Sequence, residues 1–406
     1  MNSRTGSMIA LVGVVLIGMT GFGVFLPIFP FLALHLGGTA TEATIAMGCY
    51  SFGQLIASPW WGRLSDRIGR KPVLIIGLLG GMTSYLFLSQ AHTIWDLGAA
   101  RLFGGLMAGN IGAAFASAAD LADDKTRARN MGLLGAAVGF AFVCGPALGA
   151  LLIGAGEPDA AAFAKVCLVS AALAGAAALA ALILYRESLP KEARNKSDRD
   201  RPRRMNMLLT RPILARFIAM TFLMITAQAM LEATFGLWAD ASLHWGPRQV
   251  GVALAGLGVG AVLLQGGGAG RAARIVGERI MLLIGIASMI AGFAGMAVAH
   301  SEAVLVVALA AFVVGIGLST PALNSLIAAQ AGAEERGAVM GLSQSASAFG
   351  RVAGPLVSGA IFDGLGHGAP FVTGAILLLG ALFVAQGEPE PLPLSLAERG
   401  SGGEGR

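Results

Sequence analysis

Charge is what this chain has least of. Only 13% of its 406 residues are Asp, Glu, Lys or Arg, about half the share that keeps an ordinary soluble domain in water. With 55% of residues hydrophobic and a mean hydropathy of +0.73, too little polar surface remains to cover a water-soluble body. Lipid is the expected solvent. Cysteine is scarce as well: Cys49, Cys144 and Cys167 all fall inside apolar runs, so neither a disulfide framework nor a metal site is inferred. The chain also lacks a GxxxxGK[ST] loop and any catalytic constellation, which leaves no sign of ATP-driven transport or of enzyme chemistry. No cofactor and no metal is expected.

What is present is a succession of apolar runs. A bilayer core needs roughly 20 apolar residues per helix. Runs that meet this requirement lie near 8–36, 44–61, 73–91, 94–119, 130–154 and 161–185, and again near 212–238, 247–268, 280–299, 302–330, 337–361 and 369–386. These are spans 1 to 12. Continuous runs exclude a membrane β-barrel, whose strands are short and alternate. The first run is too long for a signal-peptide core and lacks a clear cleavage pattern, so it reads as an uncleaved span.

The basic residues give the expected orientation. Setting aside Arg101, Lys165, Arg248 and Arg351 leaves 24 of the 28 Lys and Arg (28 − 4), all at the termini, in loops after even-numbered spans or, for Arg216, in the opening turns of span 7 that follow such a loop. By the positive-inside rule both termini are cytoplasmic. The net charge of +5 is therefore a topology signal spread over loops, and no nucleic-acid partner is expected. Residues 186–211 form a charged loop that separates an N-terminal six-helix bundle (1–185) from a C-terminal one (212–386). That loop reads as a cytoplasmic linker, with contact to anionic lipid as the alternative. The Pro-, Gly- and Glu-bearing tail, 387–406, is expected to be disordered.

The two halves echo each other. Arg127, Met131, Gly132, Gly145 and Pro146 recur 209 residues later as Arg336, Met340, Gly341, Gly354 and Pro355, and Gly149 as Ser358. Gly62 to Lys71 (GRLSDRIGRK) finds a weaker match in Gly270 to Arg279 (GRAARIVGER), displaced by 208. Parallel six-helix repeats related by an axis along the membrane normal are a transporter architecture, with the solute site between them. A fused pair without a transport role is the alternative.

These motifs resemble the major facilitator superfamily. Gly62 to Lys71 is similar to that family's signature loop at every fixed position, and the resemblance implies a conformational latch built from Gly62, Asp66, Arg67, Gly69, Arg70 and Lys71. Asp66 would face a helix N-terminus of the other half, where the dipole favours a carboxylate, and Asp120 would be the acidic partner of the loop's cations. An arginine opening a glycine-rich span 4, Arg101, also resembles the family and implies proton coupling or solute binding. Its nearness to the membrane boundary leaves snorkelling as the other reading. Gly132, Gly145, Pro146 and Gly149, with Gly354 and Pro355 in the second half, are similar to the kinked-helix pattern of the family's antiporters; ordinary kinked packing is the alternative.

Within the family the chain looks most like the drug:proton antiporters and tetracycline exporters. It departs from the latter at Gly18, where they carry an acid in span 1, and in having no acid inside spans 3 or 9, which speaks against tetracycline itself. Glu232 is the carboxylate well inside a span and is the candidate proton site, with a wet or structurally paired carboxylate as the alternative. Arg351 is a further intramembrane charge and a candidate partner for it. The family's cavity is lined by spans 1, 4, 7 and 10, which makes Asn110, Gln228 and Asn324 the candidate solute contacts. The expectation is an all-α, twelve-span, monomeric secondary transporter in a lipid bilayer, exporting a small organic solute in exchange for protons. A facilitator or symporter importing a metabolite, and a transport-inactive receptor or scaffold, remain as alternatives.

Overall fold

The computed structural model describes residues 3–123, 126–154, 158–190, 194, 210–332 and 335–386. The tail 387–406, most of the linker 186–211 and the side chains of Gln265 and Arg336 lie outside the described residues. Among the described residues nine helices are long and apolar enough to cross a membrane. Spans 2 (Ala40–Ile68), 11 (Arg336–Leu365) and 12 (Ala369–Gln386) complete twelve. Spans 2 and 11 are less apolar because they pack on each other between the halves, which reduces the face each presents to lipid.

Local chemistry sets the helix ends. Thr39 and Glu42 form a capping box that opens span 2, and Thr93 and Asp96 do the same for span 4, satisfying amides that a helix start leaves unpaired. Gly69 (φ +110°) and Gly277 (φ +80°) stand between spans 2 and 3 and between spans 8 and 9. They are 208 residues apart, and only glycine takes that backbone readily. The repeat seen in the sequence is thus repeated as geometry.

Three spans are interrupted. Span 1 runs as Ser3–Phe25 and Phe29–His35, and span 4 as Ile94–Leu106 and Asn110–Asp120. Span 8 carries a π-helical turn at Leu264–Gly268. At the span 4 break the indole N–H of Trp61 donates to the Leu106 carbonyl at 2.6 Å, so the interruption leaves that group satisfied inside the membrane.

Within each half, glycines let backbones meet. A methyl group at Gly145 would lie 2.6 Å from Gly23 Cα, and one at Gly354 would lie 2.7 Å from the Thr226 carbonyl oxygen. Span 5 is thereby seated on span 1, and span 11 on span 7. Both helices continue through Pro146 and Pro355.

Among the described residues the close glycine contacts between the halves run from the middle of the spans to one end. On the side away from the chain ends, a methyl at Gly359 would lie 2.6 Å from Thr41 Cα, and one at Gly48 would lie 3.3 Å from Pro355 Cβ. Gly251 abuts Ala150 and Gly258 abuts the Phe142 carbonyl, each at 2.9 Å, and Gly236 abuts Pro30 at 2.9 Å. The Asp363 carboxylate accepts from the Thr41 amide at 2.9 Å and from its hydroxyl. On the side of the chain ends the matching positions, Gly62, Gly132, Gly135, Gly270 and Gly337, meet nothing within 4 Å. Among the described residues the contacts between the halves thus gather toward the far side, the arrangement expected around a cavity open toward the chain ends.

Candidate functional site: a charged cavity roof between the halves

Helical steps of four residues place the key side chains. On span 7, Gln228, Glu232 and Gly236 follow one another at that spacing, and Gly236 is the residue against Pro30 of the other half. Glu232 therefore sits one turn below the seal. Gln228 Nε2 donates to Glu232 Oε1 at 2.9 Å; the second carboxylate oxygen has no hydrogen bond or ion pair among the described residues. On span 11, Arg351, Pro355 and Gly359 follow the same spacing, and the last two touch span 2. Arg351 lies one turn nearer the chain ends than the Pro355–Gly48 contact. Its side chain is exposed, lies within electrostatic reach of Tyr50, and makes no ion pair among the described residues. The pairing of Arg351 with Glu232 foreseen from the sequence is absent: each charge is available to something else.

Arg101 is 4% exposed, so it does not snorkel to the membrane surface. Its guanidinium faces the rings of Phe22, Phe25 and Phe29 of span 1 and Tyr50 of span 2, with centroids at 5.7, 5.6, 5.5 and 4.5 Å. Its Nε has no acceptor among the described residues. Four π faces replace water around this cation, each worth up to about 2 kcal/mol when desolvated. Phe22 also meets Tyr50 at 5.6 Å and Phe142 at 6.2 Å. These three half-buried rings form an aromatic wall with Arg101 behind it.

The other foreseen contacts separate. Asn110 begins the second segment of span 4 and lies against Gly77 of span 3, on the bundle side of the helix. Asn324 is exposed near the chain-end side of span 10. Gly18, where an acid would mark a tetracycline exporter, is packed within the N-terminal half, a Cβ there lying 3.0 Å from the Leu78 side chain of span 3.

Among the described residues the signature loop is tied to spans 3, 4 and 6. Arg70 Nη1 donates to Asp66 Oδ1 at 2.7 Å, and Arg70 Nε donates to Asp120 Oδ2 at 2.9 Å. Arg67 is exposed and Gly69 is buried at the turn. A residue not foreseen, Glu187, completes the arrangement. Its carboxylate accepts from the Arg70 and Lys71 amides at 2.9 and 3.1 Å, capping span 3 where the helix dipole favours negative charge, while Lys71 Nζ donates to the Leu182 carbonyl at 2.8 Å. An acid directly after span 6, beside a loop rich in cations, was the available signal. The second half has a related tie: Ser325 donates to Glu278, which opens span 9 after Gly277. Nearby, Arg211 binds both oxygens of Glu335 at 2.8 and 3.1 Å and holds that carboxyl below the usual carboxylate range.

Comparison with known proteins gives a consistent picture. The family described as Major Facilitator Superfamily matches residues 11–267 and 217–404. A tetracycline resistance protein, class B, from Escherichia coli is 30% identical, with 94% of each chain covered. Multidrug resistance protein 2 from Bacillus subtilis is 28% identical, covering 93% of this chain and 94% of that one. Among solved structures, the human organic anion transporter MFSD10 superposes with a TM-score of 0.71 at 24% identity, covering 94% of this chain and 99% of that one. The nucleoside transporter NupG superposes with a TM-score of 0.73 at 14% identity, covering 95% and 98%. These likenesses establish the fold of the chain.

Proposed function

The chain belongs to the major facilitator superfamily, a family of membrane transporters rather than enzymes, and from that premise we propose that it exports a small amphipathic organic solute in exchange for protons. One observation carries the reading. Among the described residues, backbone-close contacts join the halves toward the far side while the glycines near the chain ends meet nothing within 4 Å, and one turn inside the far-side contacts lies a carboxylate with a single described hydrogen bond.

The chemistry follows from that placement. With both termini in the cytoplasm, as the basic loops imply, the cavity opens to the cytoplasm and receives solute there. Glu232 then exchanges a proton for the solute. A bare carboxylate in the membrane is costly unless it is paired, protonated or wet, so the halves rock when Glu232 carries either proton or solute. Rocking parts the Gly48, Gly359 and Asp363 contacts and closes the cytoplasmic side. There Asp66, now held by Arg70, would meet the start of span 11 as the family resemblance implies. Relatives named for tetracycline and multidrug resistance support export as the direction and an organic compound as the cargo.

Proteoliposomes with an imposed pH gradient test this. The expected result is solute-dependent proton movement that drops at least tenfold in Glu232→Gln. Equilibration indifferent to the gradient would indicate a facilitator, and solute accumulating together with protons a symporter. No flux of any solute across a broad panel would indicate a receptor on the same fold.

A further inference from the structure

Span 4 shifts its closest backbone contact at its break, and one residue of span 2 stands at the shift. Before the break the backbone is seated on span 2: a methyl at Gly53 would lie 2.6 Å from the Leu102 carbonyl oxygen, and Gly105 abuts the Tyr50 carbonyl. After it the backbone is seated on span 3, where a methyl at Gly77 would lie 2.8 Å from the Asn110 amide nitrogen. In between, the Gly109 amide turns to the Met107 carbonyl at 2.8 Å, and the Leu106 carbonyl accepts from the Trp61 indole at 2.6 Å. The ring occupies space that glycine leaves at position 109, where a methyl would come within 2.5 Å of it. Interfacial anchoring, a common use of tryptophan in membrane proteins, does not explain this placement. Trp60 is 57% exposed and suits that use, whereas Trp61 is 5% exposed. The second half supplies a contrast. The residues 208 positions after Trp61 and Gly109 are Ala269 and Gly317, and there span 10 runs unbroken from Glu302 to Ala329. The break and the indole occur together.

Trp61 immediately precedes Gly62, the first residue of the signature loop. The loop therefore grips span 4 on both sides of the break. The indole holds Leu106 at the end of the first segment, and Arg70 holds Asp120 at the end of the second at 2.9 Å. Arg101 lies on the first segment, five residues before Leu106, about 7.5 Å along the axis. Its guanidinium is 4.5 Å from the ring of Tyr50, on the same helix as Trp61. We propose that Trp61 is the positioning residue that couples the signature loop to Arg101: the indole carries displacements of the loop to the first segment of span 4 and so sets where the buried guanidinium stands. Inside the membrane the Leu106 carbonyl has no water to turn to, so its segment follows the donor rather than releasing it. Coupling over this distance travels through packed side chains and hydrogen bonds, and Trp61, Leu106 and the helical turns up to Arg101 supply such a path. The role holds for transport in either direction and with any coupling ion. Packing alone is the competing account, in which the ring only fills the space beside Gly109.

The three tyrosines of the chain are placed to report on this path without any solute. Tyr50 faces Arg101, Tyr85 meets Phe25 of its cage, and Tyr185 lies within electrostatic reach of Asp120 on the second segment. Full-length protein labelled with meta-fluorotyrosine in maltoside micelles gives a fluorine resonance for each, assigned with Tyr50→Phe, Tyr85→Phe and Tyr185→Phe. The loop is disturbed by Arg70→Gln, and Tyr185 shows that the second segment has felt it. The expected result is that Tyr50 shifts too, and that Trp61→Phe abolishes most of this second shift while leaving that of Tyr185. Trp61→His, which keeps a ring N–H, should recover part of it. Gly109→Ala, which displaces the ring without changing it, should act like Trp61→Phe and replaces it if that variant does not fold. A Tyr50 shift of equal size with and without the indole overturns the proposal, as does a Tyr50 resonance that ignores Arg70→Gln in the unaltered chain. Equal loss in Trp61→His and Trp61→Phe would assign the effect to packing and remove the role given to the N–H.

Discussion

At the scale of single residues, the most unusual placement is a buried cation with no anion beside it. Arg101 is surrounded by rings, and one of its nitrogens lacks an acceptor among the described residues. Buried charges are poor stabilisers, and an apolar side chain of similar volume is often neutral or better. Arg101→Met should therefore leave the melting temperature in detergent unchanged or raised while lowering transport at least tenfold. Full transport in that variant would show that the guanidinium is only packing. The arginine was visible in the sequence because a charge in an apolar run stands out. Its cage was not, because Phe22, Phe25 and Phe29 read the same whether they face lipid or a neighbouring helix. A second residue-scale prediction concerns acid. Arg211 lowers the Glu335 carboxyl, so this pair stabilises above the ordinary carboxylate range, and the contribution is lost as pH falls through the lowered value. Both partners are substantially exposed, so the effect is small and screened by salt. Thermal melts of Glu335→Gln should show a slightly shallower decline below that range than the parent, and identical curves would mean the pair contributes nothing.

Between helices, the far-side seal is made of contacts that no larger side chain can occupy. Gly359 faces backbone of span 2 at Thr41 and Ala40, and backbone cannot step aside as a flexible side chain can. Gly359→Val should therefore wedge spans 2 and 11 apart and favour the state open to the far side. Asp363→Ala acts on the same seam by removing a carboxylate that caps span 2 from the other half, a cap of the kind worth about 1 kcal/mol. Spin-label distances between the far-side ends of spans 2 and 11 should lengthen in both variants, more in the glycine variant. An unmoved distance distribution would mean the seam is not a gate. The sequence disclosed the twelve elements because lipid demands a long apolar run for each, and it disclosed the repeat because the same glycine–proline pattern recurs. It did not disclose which helix ends touch across the halves, since Thr41 and Asp363 are 322 residues apart and neither stands out among its neighbours. The interruption of span 4 was equally hidden: the Trp61 indole that satisfies Leu106 comes from another span.

For the molecule as a whole, the arrangement is one of two states that the same two bundles must adopt if the cavity is to serve both sides of the membrane. No sequence pattern marks which state is populated, because that depends on the balance between a far-side seal and a near-side latch. Arg70 binds both Asp66 and Asp120, which ties the signature loop after span 2 to the end of span 4. The claim that the halves part on the far side during each cycle can be tested without knowing the solute's detailed pose. Gly251 of span 8 lies so close to Ala150 of span 5 that a Cβ there would be 2.9 Å from the Ala150 Cβ, so the helices need ease apart by only about 1 Å to reach disulfide geometry. The double substitution Ala150→Cys with Gly251→Cys, in a chain whose Cys49, Cys144 and Cys167 are replaced by Ala, should oxidise readily and halt solute flux. Reduction should restore flux to the level of the Gly251→Cys single variant, and neither single variant should change its flux between redox conditions. A cross-linked protein that still moves solute would mean that spans 5 and 8 stay together throughout the cycle, and the rocking of two rigid halves about a central site would have to be abandoned.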